Sequence, residues 1–194
     1  WEPAMTKSLL MSFFLTSMTL PVGAFAGETC EDLWFTRNLI MDRAGYCFGS
    51  ALGQSLFDNG DCLGKSVVLD AASTRLVQEL RAREAQFACK IDTSRRSLSL
   101  EDGHLRQLLI DLPIADDLES TCLGWLGNPV PLYSARSANS ARIGYIQADD
   151  IIRYAHDSVG NWSYVTVHSP DWQLKTGGWY DHDADPEACA QFAG

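Results

Sequence analysis

All six cysteines of the chain, Cys30, Cys47, Cys62, Cys89, Cys122 and Cys189, follow Thr29. No two of them are spaced C-x-x-C, which argues against a zinc site or a thioredoxin-type pair, and an even set argues for disulfides. A catalytic thiol would require one of the six to stay unpaired. Disulfides persist only in oxidising compartments, so a chain built this way has to leave the cytoplasm. Such bridges matter most where the folding units are too small for a large core, and each is worth roughly 2–4 kcal/mol.

The segment before the first cysteine supplies the route out. Trp1 to Ala4 precede the first methionine, Met5. Lys7 gives a short positive start, and Ser8 to Leu20 is uncharged and rich in Leu, Met and Phe. That run is shorter than the roughly 20 apolar residues a membrane span needs. Pro21 and Gly23 break it, and Ala24-Phe25-Ala26 offers the small pair that a signal peptidase accepts. The pattern predicts a secretory signal peptide cleaved after Ala26, leaving Gly27 as the mature N-terminus. Gly27-Glu28-Thr29-Cys30 is not a lipobox, so no lipid anchor is expected, and no transmembrane segment remains after cleavage. The expected location is periplasmic or secreted.

Charge narrows the partners. The chain carries a formal charge of −10. Residues 27–112 hold 13 acidic and 10 basic side chains, a balance of −3, and residues 113–194 hold 11 and 4, a balance of −7. Proteins grip polyanionic phosphate backbones mainly with Lys and Arg, so nucleic acid is excluded as the expected partner. A neutral or cationic partner fits better.

Periodicity divides the chain in two. The N-terminal half reads helical. Thr29 with Asp32 resembles a capping box, Leu33, Trp34, Ile40 and Met41 recur at helical spacing, and Gly45 is a natural stop. A short element follows from Ser50 to Phe57, and Asp58-Asn59-Gly60-Asp61 is a turn. Asp70 caps a second long helix whose stripe is Leu76, Val77, Leu80 and Phe87, and a weaker helix spans Glu101 to Ile110. From about Thr121 the pattern becomes β. Val130–Tyr133, Ile143–Ile146, Ile151–Tyr154 and Trp162–His168 read as strands, the last alternating Trp162, Tyr164, Thr166 and His168 with Val165 and Val167. The expected fold is α+β, with residues 1–26 as upstream residues and signal peptide, 27–95 as a helical unit, 96–120 as helix and linker, and 121–194 as a β domain.

Motifs for chemistry are sparse. There is neither a G-x-S-x-G elbow nor an H-E-x-x-H pair, and His104, His156, His168 and His182 sit in isolated contexts. Asp181 to Glu187 alternates carboxylates, but Pro186 stands at the sixth position, where a calcium loop needs glycine. It reads as a solvated acidic turn. No catalytic residue, metal ligand or cofactor is expected.

The run Leu33-Trp34-Phe35-Thr36-Arg37-Asn38 through Arg43, Gly45, Tyr46 and Phe48 resembles the YARHG domain, a small extracellular bacterial domain. The segment corresponding to the name-giving motif reads Met41-Asp42-Arg43-Ala44-Gly45 and lacks the histidine, so no role of that imidazole carries over. The mature chain as a whole resembles bacterial envelope proteins in which a helical unit precedes a β unit. The second half resembles a bacterial SH3-type barrel on Pro131-Leu132-Tyr133, Ile143-Gly144-Tyr145-Ile146, Asn161-Trp162-Ser163-Tyr164-Val165 and Gly178-Trp179-Tyr180. That resemblance implies a small β-barrel that binds peptides or cell-wall material.

These resemblances frame the remaining expectations. The ends of a small barrel lie close together, which pairs Cys122 with Cys189 across the Cα separation of roughly 4.4–6.8 Å that a disulfide needs. In the helical unit, Cys30–Cys89 would join two packed helices and Cys47–Cys62 would close a local loop. The candidate ligand-binding residues are Trp162, Tyr164, His168 and Trp179 on the barrel and Trp34, Arg37, Asn38 and Arg43 on the helical unit. Of these, Arg37 and Asn38 read more readily as structural groups bonding loop carbonyls. The face carrying Trp162 and Tyr164 docks a ligand unless the helical unit itself covers it. The leading function is non-catalytic binding in the cell envelope, with peptide, protein or peptidoglycan as ligand. An envelope hydrolase or its accessory subunit, and a purely structural interaction protein, remain the alternatives. N-terminal sequencing of protein recovered from the periplasm should read Gly27 first, and a product that retains Phe13 or Phe14 would refute the cleavage site.

Overall fold

Helix α1 (Gly23–Arg43) stops where its sequence says it should. Gly45 takes φ +83, a left-handed conformation that costs glycine little, and its N–H donates to the Asp42 carbonyl at 2.7 Å. The computed structural model describes Trp1, residues 23–183 and residues 188–194. The apolar run up to Val22, expected to be a signal peptide, and the middle of the acidic turn, residues 184–187, lie outside the described residues. Ser50 caps α2 (Ala51–Leu56) by accepting the Gly53 N–H at 3.1 Å, and Asp70 caps α3 (Ala71–Gln86) by accepting the Ser73 N–H at 2.8 Å.

The expected helix over Glu101 to Ile110 is only one turn, α4 (Gly103–Arg106). Two competitors end it. The Arg43 guanidinium takes the carbonyls of Arg106, Gln107 and Leu109 at 3.3, 3.3 and 2.8 Å. The Ile110 N–H turns to the Ser134 carbonyl at 2.7 Å instead of back along a helix. The capping-box reading of Thr29 and Asp32 is also corrected. In the structure α1 starts upstream of both, and Asp32 faces a buried arginine.

Seven strands follow: β1 (Ala115–Trp125), β2 (Val130–Tyr133), β3 (Arg142–Ile146), β4 (Ile151–His156), β5 (Trp162–His168), β6 (Leu174–Asp181) and β7 (Cys189–Ala193). All pair antiparallel in one sheet, ordered β3-β2-β6-β5-β4-β1-β7. The sheet is not closed, because β3 and β7 form its two edges. β1 begins at Ala115, inside the stretch expected to be linker. Its first half is polar and irregular, with a register break against β4 between Ala115 and Ser120, so it carries little alternating signal. The short β7 was not anticipated, and it pairs with β1 rather than with β3.

The two faces of β5 explain how the halves join. Val165 and Val167 belong to one buried cluster together with Cys122, Trp125, Val130, Leu132, Ile146, Ile152 and Tyr180. Six strands contribute to it, which requires the sheet to curve around it. Close contact between β6 and β2 is possible because Gly178 has no side chain: a Cβ there would lie 3.1 Å from the Tyr133 carbonyl oxygen. On the opposite face Tyr164 joins Trp179, Tyr133 and the helical residues Leu33, Trp34, Phe35, Leu39 and Leu80 in a second cluster. The helical unit thus covers the Tyr164 face of the sheet.

The three disulfides pair as the sequence reading anticipated: Cys30–Cys89, Cys47–Cys62 and Cys122–Cys189, with Cα separations of 5.3, 5.1 and 5.6 Å. The last spans 67 residues and pins the edge strand β7, much of which is exposed. Replacing Cys122 and Cys189 together by Ala should lower stability by about 2–4 kcal/mol. It should also raise amide exchange across β7 well above that of β5, measured by hydrogen–deuterium exchange. Unchanged protection of β7 would show that strand pairing alone holds the edge.

Candidate functional site

Both sites worth weighing lie on the seam between helices and sheet. The larger is a cleft of about 860 Å³ where the end of α1 and the start of α3 face the 110–114 segment and the turn at 157–159. Its apolar lining includes three side chains left open to solvent: Val68 (96 % exposed), Ile110 (68 %) and Val159 (42 %). Three arginines line it too. Arg43 is committed to the carbonyls described above. Arg136 lies over the Trp179 ring at 5.3 Å and pairs with Asp111 at 3.3 Å. Arg75 is exposed and makes no hydrogen bond or ion pair among the described residues.

The second feature is a buried polar cluster on the other side of the seam. Arg106 is 1 % exposed. Its Nη1 donates to Asp32 Oδ1 at 2.6 Å and to Thr36 Oγ1 at 3.0 Å, its Nη2 also reaches Asp32, and its Nε donates to Asp102 Oδ2 at 2.9 Å. The sheet closes the cluster. The Tyr164 hydroxyl donates to Asp102 Oδ2 at 2.8 Å, and His156 Nε2 lies 2.9 Å from both Asp32 and Arg106. Burial alone would raise the Asp32 carboxyl, but the Arg106 guanidinium, helped by His156, more than offsets that and holds it far below the carboxylate range. Burial, reinforced by the neighbouring Asp102, pushes the Tyr164 phenol well above its ordinary value.

The candidate residues fall into four groups. Trp179 and Arg43 line the cleft. Tyr164, His168 and Trp34 are buried in place: Tyr164 is fully inaccessible, His168 Nε2 lies 2.8 Å from Glu101, and Trp34 packs near Phe57. Trp162 is half-buried edge-on to Tyr133. The Trp162–Tyr164 face is therefore an interdomain core and not an open groove, because the helical unit buries it. Arg37 pairs with Glu84 of α3 at 3.0 Å, and the Asn38 amide donates to the Trp34 carbonyl at 2.7 Å. Neither bonds a loop carbonyl; that role belongs to Arg43.

Sequence reasoning missed Asp32, Asp102, Arg106 and His156. The spacing of Asp102 and Arg106 is a helical i,i+4 pair, the one local clue, but such pairs usually lie on solvated surfaces. A Ser–His contact also went unforeseen. His182 Nε2 lies 2.9 Å from Ser163 Oγ, which in turn lies 2.6 Å from Ser158 Oγ, but Ser163 is 2 % exposed. All six cysteines are bonded.

The cluster yields a pH signature. A carboxyl whose folded-state pKa is depressed contributes stability that is present above the unfolded pKa and lost as pH falls through the folded one. Asp32→Asn should therefore cost about 3–5 kcal/mol near neutrality, where it breaks a buried pair. The cost should shrink as pH drops below about 4, the unfolded carboxylate range. Urea denaturation at a series of pH values measures it, and a cost constant from neutrality down to acid would show that the ion pair contributes nothing.

Comparison with known families matches both halves. A model for the YARHG domain matches residues 10–85. A model described as a domain of unknown function, DUF4453, matches residues 88–194. Neither a curated protein nor a solved structure matches the chain. With more than half of its length matched by that second model, the chain belongs to the DUF4453 family.

Proposed function

We propose that the chain is an extracytoplasmic binding protein whose ligand seats in the cleft between helical unit and sheet. The observation that carries this reading is the cleft itself. Its volume of about 860 Å³ lies within the usual range for ligand sites, and such sites favour domain junctions. Exposed Val68, Ile110 and Val159 are the kind of apolar surface a partner covers. Arg75, which enters no ion pair among the described residues, suits a carboxylate at the same opening, since guanidinium–carboxylate bonds are strong and directional. A short peptide or a cell-wall fragment combining apolar and carboxylate groups has the matching chemistry.

Three disulfides and the YARHG match support placement outside the cytoplasm, in the periplasm or beyond it. Among the described residues no helix is long and apolar enough to cross a membrane. The resemblance of residues 131–180 to bacterial SH3-type barrels supports a peptide or wall-derived ligand, here on a sheet left open. The bonded cysteines and the buried Ser163 hydroxyl favour binding over nucleophilic hydrolysis.

The test is retention on purified peptidoglycan and on a displayed peptide library, with the wild type beside Val68→Asp and Ile110→Asp. Both side chains are exposed, so melting should move little, within about 0.5 kcal/mol of stability. A charge placed on the apolar wall should weaken retention by about tenfold or more. Full retention by both variants would refute the cleft as the ligand site.

A further inference from the structure

We infer that a second, smaller pocket on the opposite side of the seam binds a primary ammonium group, as carried by a lysine-type side chain. This goes beyond the cleft reading and does not depend on it. The pocket measures about 110 Å³ and lies between the N-terminal part of α1, the 99–106 segment, and strands β1 and β4. That is the space of a few water molecules at ~30 Å³ each, too small for a peptide backbone and sufficient for the tip of an aminoalkyl chain.

Its lining is one-sided in charge. Seven carboxylates and two guanidiniums face it. Both guanidiniums are already engaged, Arg153 with Glu119 and Glu101 at 2.6 and 3.1 Å, and Arg106 with Asp32 and Asp102. Glu28 and Asp117 stand exposed at the pocket and enter no ion pair among the described residues.

A cluster of acids alone would prove nothing, since carboxylates on a solvated surface need no counter-charge. The independent observation is Asp102. Its side chain is 3 % exposed and lines the pocket, yet its Oδ1 has no hydrogen-bond partner. A buried carboxylate oxygen left without a donor is costly. Asp32 and Asp102 place two carboxylates against the one guanidinium of Arg106 at this depth. An ammonium hydrogen would supply the donor that Asp102 Oδ1 lacks.

The geometry selects the kind of cation. No three His, Cys, Asp or Glu residues among the described residues converge as metal ligands would. An ammonium has three donors and asks only for separate acceptors around it. Asp102 Oδ1 would accept one hydrogen, and the rim carboxylates would meet the others.

The experiment is an amide NMR titration of the purified protein with four probes: Nα-acetyl-lysine methylamide, n-butylammonium chloride, the isosteric neutral Nα-acetyl-norleucine methylamide, and calcium chloride. The lysine derivative should shift amides around Asp102 and His156, and the norleucine derivative should leave them unmoved. Tighter binding of the lysine derivative than of butylammonium assigns a peptide-borne amine, and equal binding assigns a free one. Asp117→Asn should weaken the lysine derivative by about threefold, and Asp102→Asn by about tenfold or more. Because Asp102→Asn disturbs a buried ion pair and can fail to fold, the exposed Asp117→Asn decides on its own. Val68→Asp should leave this titration unchanged, which separates it from the cleft. The inference is overturned if the norleucine derivative shifts the same amides, if calcium does so while neither amine does, or if Asp117→Asn binds as tightly as the wild type.

Discussion

The whole arrangement turns on one buried guanidinium. Arg106 reaches α1 through Asp32 and Thr36, its own turn through Asp102, and the sheet through His156 and, by way of Asp102, Tyr164. Desolvating such a group is expensive, and a hydrophobic replacement of equal shape often matches or exceeds it in stability. What the cluster contributes is position. Its bonds to Asp32, Thr36, Asp102 and Tyr164 form together in one relative placement of helix and sheet, whereas the apolar contacts around Leu33, Phe35 and Trp179 tolerate small slips. The short α4 follows from the same cause. Asp102 heads that turn, but its side chain makes no capping bond; it is drawn to Arg106 and Tyr164 instead.

The middle of the sheet, around β5, is buried on both faces for two separate reasons. On one face it curves around Val165, Val167 and Trp125, so that its own strands form a core. On the other it needs the helices. Tyr164 and Trp179 are aromatic rings with a polar tip, and each tip has a partner: buried Asp102 for the Tyr164 hydroxyl, and the half-buried Asp111 carbonyl, at 2.8 Å, for the Trp179 indole N–H. Rings placed this way anchor a docked layer. They are poor candidates for a groove that must open to solvent, which is why a strand with the alternation of an exposed aromatic face carries an interior one.

Local features were legible in the sequence and long-range ones were not. Gly45 and the Asp70 cap follow from backbone sterics and from orphan N–H groups at helix starts, which any chain must solve locally. Strand β2 lies where its short apolar run placed it, between Pro129 and the Ser-rich turn. Dividing the cysteines between helical and β units singled out Cys122–Cys189, whereas Cys30–Cys89 and Cys47–Cys62 rested on the expected packing of two helices and a local loop. By contrast β1 is polar over its first half and carries no alternation, and the barrel implied by the SH3-type resemblance is not closed, because β7 sits beside β1 and leaves β3 an edge. The site was least legible of all. Asp32, Asp102, Arg106 and His156 are far apart in sequence and individually ordinary; only the folded placement of α1 against β4 and β5 gives them a common centre. Even the face of β5 was read correctly as a face, with Trp162, Tyr164 and His168 on one side, while its cover could not be read from the strand.

The meeting point of the two matched ranges, between residues 85 and 88, is not a mechanical boundary. The Cys30–Cys89 bridge crosses it. So do the Arg83–Asp157 pair at 2.5 Å, the Arg95–Glu31 pair at 2.6 Å, and the contacts of Arg43 with three carbonyls beyond residue 105. The Arg106 cluster draws Asp32 and Thr36 from one range and everything else from the other. Cut at that point, the helical part would expose Leu33, Phe35 and Leu39 along with an unpaired Asp32, and the sheet would expose Tyr164 and Trp179 with a buried arginine short of its partner. Both the cleft and the acidic pocket draw their walls from the two sides. Neither the cleft nor the pocket exists in either part alone; each is a property of the joined pair and of the polar cluster that sets how the two are joined.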